Sequence, residues 1–254
     1  MLDTVPPASQ ARARADRYAR FGGLTAGVLL SISLIDGYGG LGTGVLVAIP
    51  AFGLCAVAGV LLGEHITARP HGAVRTAGLA PRRIRDHVPP RLTVLLLIEA
   101  SLLIALLVTA TAIGSPDDLG RAGRALTMSC SGVTESHGPW PGSFYAVPAL
   151  ASLALGTGAC GYALRHITRR PGDEQERRNR ALAVTAAWGL LVSAPLAGTA
   201  WSAAGSLRGL SCDGTLGSVT AWILLPLCLV SLGTAIQCLF TVVAPKTAQH
   251  PDTD

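Results

Sequence analysis

Charged residues are scarce in this chain. Of its 254 residues only 14% are Asp, Glu, Lys or Arg, whereas 50% are hydrophobic. Soluble domains carry about 25% charged residues, and the mean hydropathy here is +0.46. This composition excludes an ordinary soluble domain and directs attention to long apolar runs.

Several catalytic motifs are also missing. The sequence has no Gly-x-x-x-x-Gly-Lys-Ser/Thr loop, no His-Glu-x-x-His, no Gly-x-Ser-x-Gly and no Cys-x-x-Cys. Their absence disfavours an ATPase, a zinc protease, an α/β-hydrolase and a dithiol oxidoreductase. We therefore expect no catalytic residue, no bound metal and no cofactor.

Six apolar runs are long enough to cross a bilayer, which needs about 20 residues per helix. The sequence therefore predicts an all-α, polytopic membrane bundle of six transmembrane helices. The first run follows a basic stretch but lacks a small-x-small cleavage site, so it is interpreted as a retained helix. A basic segment (residues 1–20) precedes the runs and a polar tail (residues 245–254) follows them. The runs are 21–40, 41–63, 92–113, 143–164, 181–204 and 216–244.

Basic residues are distributed unevenly between the two sides of the predicted bundle. Most lie before the first run, between runs two and three, between runs four and five, or after the sixth; Arg121, Arg124 and Arg208 are the exceptions. Positive charge is retained on the cytoplasmic side. We therefore expect a plasma-membrane protein with both termini cytoplasmic. Because orientation already accounts for the arginines, the net charge of +5 does not indicate nucleic-acid binding.

One phrase, His-Ile-Thr-x-Arg-Pro, occurs twice, at His65–Pro70 and His166–Pro171. In both places it follows an apolar run on the predicted cytoplasmic side. Basic residues and a following proline are typical of a helix end. The alternative is a pair of sites for anionic lipid head groups, made by His65, Arg69, His166 and Arg170.

A second echo lies on the opposite side. Ser129-Cys130-Ser131-Gly132 and Ser211-Cys212-Asp213-Gly214 occupy equivalent loops. Together with the repeated phrase, this echo predicts three successive out-and-back helix hairpins. Because the outer side is oxidising, we expect a disulfide between Cys130 and Cys212.

Glu99 is the strongest candidate for a functional group, because it lies inside the third apolar run. A carboxylate in hydrocarbon is costly and usually faces the bundle interior or a water path. One interpretation is a proton or ion site. The other is a structural carboxyl group, neutral or hydrogen-bonded to a Ser, Thr or Trp of a neighbouring helix.

Small residues recur at four-residue spacing, which lets helices approach closely. We expect most of this packing to lie within the chain. The sets are Gly23 with Gly27; Gly59 with Gly63; Ser152, Gly156 and Cys160; and Gly189, Ser193 and Ala197. Aromatic residues near the outer interface predict a belt at head-group level; they are Trp140, Tyr145, Trp201 and Trp222.

The stretch HGAVRTAGLAPRRIRDHVPPRL, from His71 to Leu92, resembles a loop of uncharacterised multi-pass membrane proteins from high-GC Gram-positive bacteria of the actinobacterial type. The preference for Arg over Lys and the abundance of Ala, Gly and Leu are similar too. The resemblance covers mainly the first three helices. It implies a bacterial multi-pass protein, and it carries no known activity and no functional residue.

The sequence favours a non-enzymatic membrane component: an accessory, scaffold or partner subunit that contacts the lipid bilayer and another membrane protein. The alternative is a small secondary transporter or permease that uses Glu99 as its proton- or ion-coupling group.

Overall fold

The computed structural model describes residues 7–38, 43–66, 90–130, 132–169, 174–210 and 214–244. They form six helices and one β-hairpin. In chain order these are α1 (Pro7–Gly37), α2 (Thr43–Ile66), α3 (Pro90–Ile113), β1 (Leu126–Cys130), β2 (Val133–His137), α4 (Ser143–Arg169), α5 (Glu174–Gly209) and α6 (Gly214–Val243). The stretch that resembles bacterial membrane proteins lies largely outside the described residues.

All six helices are long and apolar enough to cross a membrane. The predicted fold class, an all-α membrane bundle, is therefore confirmed. The candidate spans are Arg14–Gly37, Gly44–Ile66, Pro90–Ile113, Ser143–Thr168, Gln175–Gly209 and Gly217–Val243.

Two helices begin earlier than their apolar runs indicated. α1 starts at Pro7 rather than at residue 21, and α5 starts at Glu174 rather than at residue 181. The added turns are rich in Ala, Arg, Glu and Gln, which are strong helix formers. An apolar run marks the part of a helix that suits hydrocarbon, whereas the helix itself continues as far as its backbone propensity allows.

α5 is the central helix of the bundle. Of the residues in its most apolar stretch, 78% are buried, compared with 11% in the corresponding stretch of α1. α2, α3, α4 and α6 all pack against α5. Its buried faces are built largely of alanine, including Ala186, Ala187, Ala200 and Ala203, and these short side chains allow neighbouring helices to approach from several directions.

The other helices are arranged around this centre unequally. α1 packs along α2, and α6 packs along α5, whereas α3 and α4 contact each other less than they contact α5. α5 thus contributes to the packing of α2, α3, α4 and α6.

α1 and α2 cross at a pair of glycines. A methyl group added at Gly23 would lie 2.6 Å from the Cα atom of Gly59 and 2.7 Å from the carbonyl oxygen of Cys55. Gly27 faces Phe52 and Cys55 in the same way, and Gly63 faces Asp16. The expectation that the small-residue pairs pack within the chain is confirmed here, because only glycine lets the two backbones come this close.

The segment from Ser115 to Gly142, which was expected to be a loop, contains an antiparallel β-hairpin. Leu126 pairs with His137 and Cys130 pairs with Val133, and Gly132 turns the chain with a φ of 82°. We call this segment the hairpin cap. Its strands are short and were not recognisable from the sequence beside the stronger membrane-helix pattern.

The hairpin cap folds down onto the helix ends. The indole Nε1 of Trp140 donates to the carbonyl oxygen of Ala110 in α3 (2.8 Å), and the hydroxyl of Ser206 in α5 donates to the carbonyl oxygen of Pro139 (3.1 Å). The guanidinium of Arg124 lies 3.6 Å from the ring centre of Phe144 in α4. These contacts tie the cap to three helices.

The aromatic belt is present only in part. Trp201 and Trp222 are each 66% exposed, as a belt requires, and the guanidinium of Arg208 lies 5.3 Å from the ring centre of Trp222. Trp140 and Tyr145 are buried, so the belt prediction is wrong for these two. Both lie where the hairpin cap covers the ends of the helices.

Candidate functional site

Glu99 lies near the middle of α3 and is only 2% exposed. Its distance from the start of the helix at Pro90 corresponds to about 14 Å at 1.5 Å per residue. The carboxyl group therefore lies well inside the apolar part of the bundle, as the sequence predicted.

Two hydroxyl groups from other helices hold this carboxyl group. The hydroxyl of Ser193 in α5 donates to Glu99 Oε2 (2.5 Å), and the hydroxyl of Thr234 in α6 donates to Glu99 Oε1 (2.8 Å). We call these three residues the three-helix clasp, because one side chain from α3 joins α3, α5 and α6.

The two hydroxyls differ in what else they can reach. The Thr234 hydroxyl also lies 3.0 Å from the carbonyl oxygen of Val230, one turn earlier in α6. Since a hydroxyl has one hydrogen, Thr234 can exchange the carboxyl group for its own backbone. The described hydrogen bond of the Ser193 hydroxyl is the one to Glu99. Ser193 therefore depends more than Thr234 on the carboxyl group for an acceptor.

Apolar packing closes the surroundings of the clasp. Leu96 and Leu103, which flank Glu99 in α3, and Ser193 itself have no exposed surface. A side chain added at Gly189, one turn before Ser193, would collide with the sulfur of Cys238 and would lie 3.2 Å from Leu96. The small residues of α5 thus bring α3 and α6 close enough for one carboxyl group to reach both hydroxyls.

Glu99 in this arrangement is a buried acid whose hydrogen-bonding groups have partners. Both carboxyl oxygens accept hydrogen bonds, which is the usual condition for a buried polar group. Among the described residues, no Lys, Arg or His forms an ion pair with Glu99. No group of three or more metal-ligating side chains occurs in the described part of the chain.

Sequence reasoning found Glu99 but not its partners. Ser193 was expected only as a small packing residue, and Thr234 was not singled out. Many other hydroxyl residues lie in the apolar runs, for example Ser101 and Thr109, whose hydroxyls bond to the backbone of their own helix. Which hydroxyl meets Glu99 depends on the depth and rotation of each helix, which no local pattern encodes.

The two histidines of the repeated phrase come together at the opposite helix ends. His65 in α2 and His166 in α4 line one cavity of about 90 Å³, together with Glu64 and Tyr162. The guanidinium of Arg180 in α5 lies 3.1 and 3.3 Å from the two oxygens of Glu64, and it also pairs with Glu176 at 2.5 Å. We call this side of the bundle the basic end. The other two head-group candidates, Arg69 and Arg170, lie outside the described residues.

The disulfide stays a prediction. Cys212 lies outside the described residues, and Cys130 is described only as the last residue of β1. The other four cysteines are free thiols within helices, and Cys160, Cys228 and Cys238 are buried in the core. They pack, as the sequence indicated.

The hairpin cap carries one well-formed ion pair. The carboxylate of Asp117 accepts from the guanidinium of Arg121 (2.7 Å) and from the backbone N–H groups of Leu119 and Arg121 (3.1 and 2.9 Å). Desolvation acts to raise the pKa of Asp117, but the hydrogen bonds and the charge of Arg121 together hold that pKa below its ordinary value. The pair fixes the first turn of the cap.

Comparisons of this chain with family models, with curated proteins and with solved structures gave no match.

Proposed function

We propose that this protein is a non-enzymatic membrane component that acts as an accessory, scaffold or partner subunit for another membrane protein. The three-helix clasp is the observation that supports this proposal most. The carboxyl group near the middle of α3 is used to hold the chain's own helices together, and it is sealed by apolar side chains.

Other polar side chains in the spans also form hydrogen bonds within the chain, either to a neighbouring helix or to the backbone of their own helix. The indole of Trp188 in α5 donates to the hydroxyl of Thr157 in α4 (2.9 Å), and the hydroxyls of Thr185 and Thr199 bond to the backbone one turn earlier. The outward faces of α3 and α6 are apolar, with Leu97, Ile98, Leu229 and Val230 exposed. A partner within the same bilayer would meet an apolar surface of this kind.

The accessory role is tested by extracting the protein together with the membrane that surrounds it. The chain, tagged at its C-terminus and made at its natural level, is taken directly into native nanodiscs, and the accompanying proteins are quantified by mass spectrometry. We expect one membrane protein in fixed stoichiometry. Mixing tagged and untagged membranes before extraction controls for association after lysis. A chain that arrives alone in repeated extractions would overturn the accessory role.

The alternative is a small secondary transporter in which Glu99 couples transport to a proton or ion. Its support is the position of the acid, near the middle of α3 where three helices meet. Coupling sites in transporters often lie near the bilayer midplane. A Glu99 that water or reagents can reach would favour this function over the first.

We also propose that the protein lies in the plasma membrane with the basic end and both termini in the cytoplasm. Lys246 is the only lysine in this sequence, so it is the one side-chain target for a membrane-impermeant amine reagent, and the proposal places it on the cytoplasmic side. Intact cells should give no labelling, and opened cells should give labelling at Lys246. Leu119, which is 74% exposed on the hairpin cap, provides the control: L119K should be labelled in intact cells. Labelling of Lys246 in intact cells would reverse the orientation.

A further inference from the structure

The cavity at the basic end is lined by the two histidines of the repeated phrase, His65 and His166. His65 and His166 occupy the same place in the repeated phrase, and α2 and α4 carry them to one cavity of about 90 Å³. A cavity needs only about 10–15 Å³ of such volume to hold one water molecule, so this space can hold a group larger than water. Two imidazole rings facing one such space can offer two N–H donors.

The one acidic side chain that the structure describes on the cavity wall is paired. Glu64 lines it, but both oxygens of this carboxylate lie within 3.3 Å of the Arg180 guanidinium. Arg180 is itself held by Glu176. The Glu64 carboxylate is therefore paired, although one guanidinium shared by two carboxylates leaves this group with a net charge of −1. The donors for an anion in the cavity are the two imidazoles.

The remaining wall of the cavity is apolar. Leu61, Ala159 and Ala163 line it, and the ring of Tyr162 lies against the ring of His166 with their centres 6.1 Å apart and 27° between their planes. Tyr162 is 67% exposed, and Leu155 is exposed on the same helix. A ligand with one anionic end and a long apolar part fits this combination of imidazoles and exposed apolar surface.

The position within the bundle agrees with such a ligand. The cavity lies at the ends of two candidate membrane spans, Gly44–Ile66 and Ser143–Thr168, which is the depth of lipid head groups. Arginines follow the same side of the bundle, among them Arg165 and Arg178. Basic side chains there attract anionic lipid.

We propose that His65 and His166 together bind the phosphate group of an anionic phospholipid, whose acyl chains run along the exposed face of α4. The repeated phrase then forms one site between α2 and α4. This site is separate from the three-helix clasp and does not depend on the function proposed above.

Lipid binding to the purified full-length chain tests the site. The protein is delipidated in mild detergent and titrated with phosphatidylglycerol, with phosphatidylcholine of the same acyl chains, and with inorganic phosphate, and bound lipid is counted by native mass spectrometry. The variant H65F/H166F keeps an aromatic ring at both positions and removes the N–H donors. R178Q removes a full charge from an exposed residue at the same end that does not line the cavity.

We expect H65F/H166F to weaken phosphatidylglycerol binding about tenfold or more, because hydrogen bonds to a charged group are lost. R178Q should change it by less than about twofold, and phosphatidylcholine should bind less tightly than phosphatidylglycerol to the natural chain. Displacement by inorganic phosphate would show that the phosphate group alone is recognised. Binding without such displacement would show that the lipid is needed.

A second variant guards against a folding defect. A159L fills the cavity and keeps both imidazoles, so it should also weaken phosphatidylglycerol binding, while thermal unfolding without lipid stays unchanged. Equal affinity for phosphatidylglycerol in the natural chain and H65F/H166F would overturn the proposal, and so would an equal loss in R178Q.

Discussion

The variant G23L is expected to separate α1 from α2. A side chain at Gly23 would meet the Cα atom of Gly59 at 2.6 Å and the carbonyl oxygen of Cys55 at 2.7 Å. Both are backbone atoms of a helix and cannot move aside as the end of a flexible side chain can. Overpacking of this kind costs about 1–3 kcal/mol even where side chains can adjust. We therefore expect G23L to lower the free energy of unfolding by roughly 3 kcal/mol or more.

The neighbouring glycine supplies the control. Nothing lies within 4 Å of the position where a side chain on Gly22 would begin, so G22L changes the same helix by the same residue without a collision. Two measurements suffice: thermal unfolding in detergent, and the rate of trypsin cleavage after Arg14 and Arg17 in α1. G23L should unfold at lower temperature and be cleaved faster than G22L. Equal behaviour of the two variants would show that the glycine crossing does not hold α1.

The variant E99A is expected to destabilise the bundle by about 2–4 kcal/mol. It removes two hydrogen bonds, leaves the Ser193 hydroxyl without its acceptor and opens a cavity among close-packed side chains; both effects are costly. E99Q keeps the shape of the side chain and one acceptor oxygen, so it should destabilise the bundle by about 1 kcal/mol or less. S101A, on the exposed face of α3 two residues further on, should be close to neutral.

The two partners of Glu99 should differ in a double-mutant cycle. Thr234 can return its hydrogen to Val230 when the carboxyl group is removed, whereas Ser193 has no such described alternative. The coupling energy of Glu99 with Ser193, from E99A, S193A and the double variant, should therefore exceed that with Thr234, from T234V. Hydrogen bonds between membrane helices average about 0.6 kcal/mol, and a larger coupling with Thr234 than with Ser193 would contradict the geometry.

The apolar runs were sufficient to predict the fold class, because hydrocarbon imposes a minimum length on every span. They underestimated α1 and α5, whose first turns are helical without being apolar. The glycine pairs of α1 and α2 were also readable in advance, since backbone approach requires small residues at fixed spacing. Span length and small-residue spacing can both be read from the sequence of a single helix, because they reflect what hydrocarbon and close packing require of that helix.

What could not be predicted depends on how elements meet. The hairpin cap buries Trp140 through a bond to Ala110, a residue of a different helix, so a tryptophan expected at the lipid interface became part of the core. Glu99 was recognisable by its charge alone, whereas its partners depend on the rotation of α5 and α6. The shared cavity of His65 and His166 likewise required α2 and α4 to be neighbours, which the repeated phrase did not imply.

The central claim is that Glu99 is a sealed structural carboxyl group and not a transport site. A membrane-permeant carbodiimide, applied to native membranes and followed by peptide mass spectrometry, measures whether this carboxyl group can be reached. The control is S101E, which places a carboxyl group on the exposed face of the same helix. We predict modification at position 101 in the control and none at Glu99 in either chain. Stoichiometric modification of Glu99 in the natural chain would contradict the account and favour the transporter.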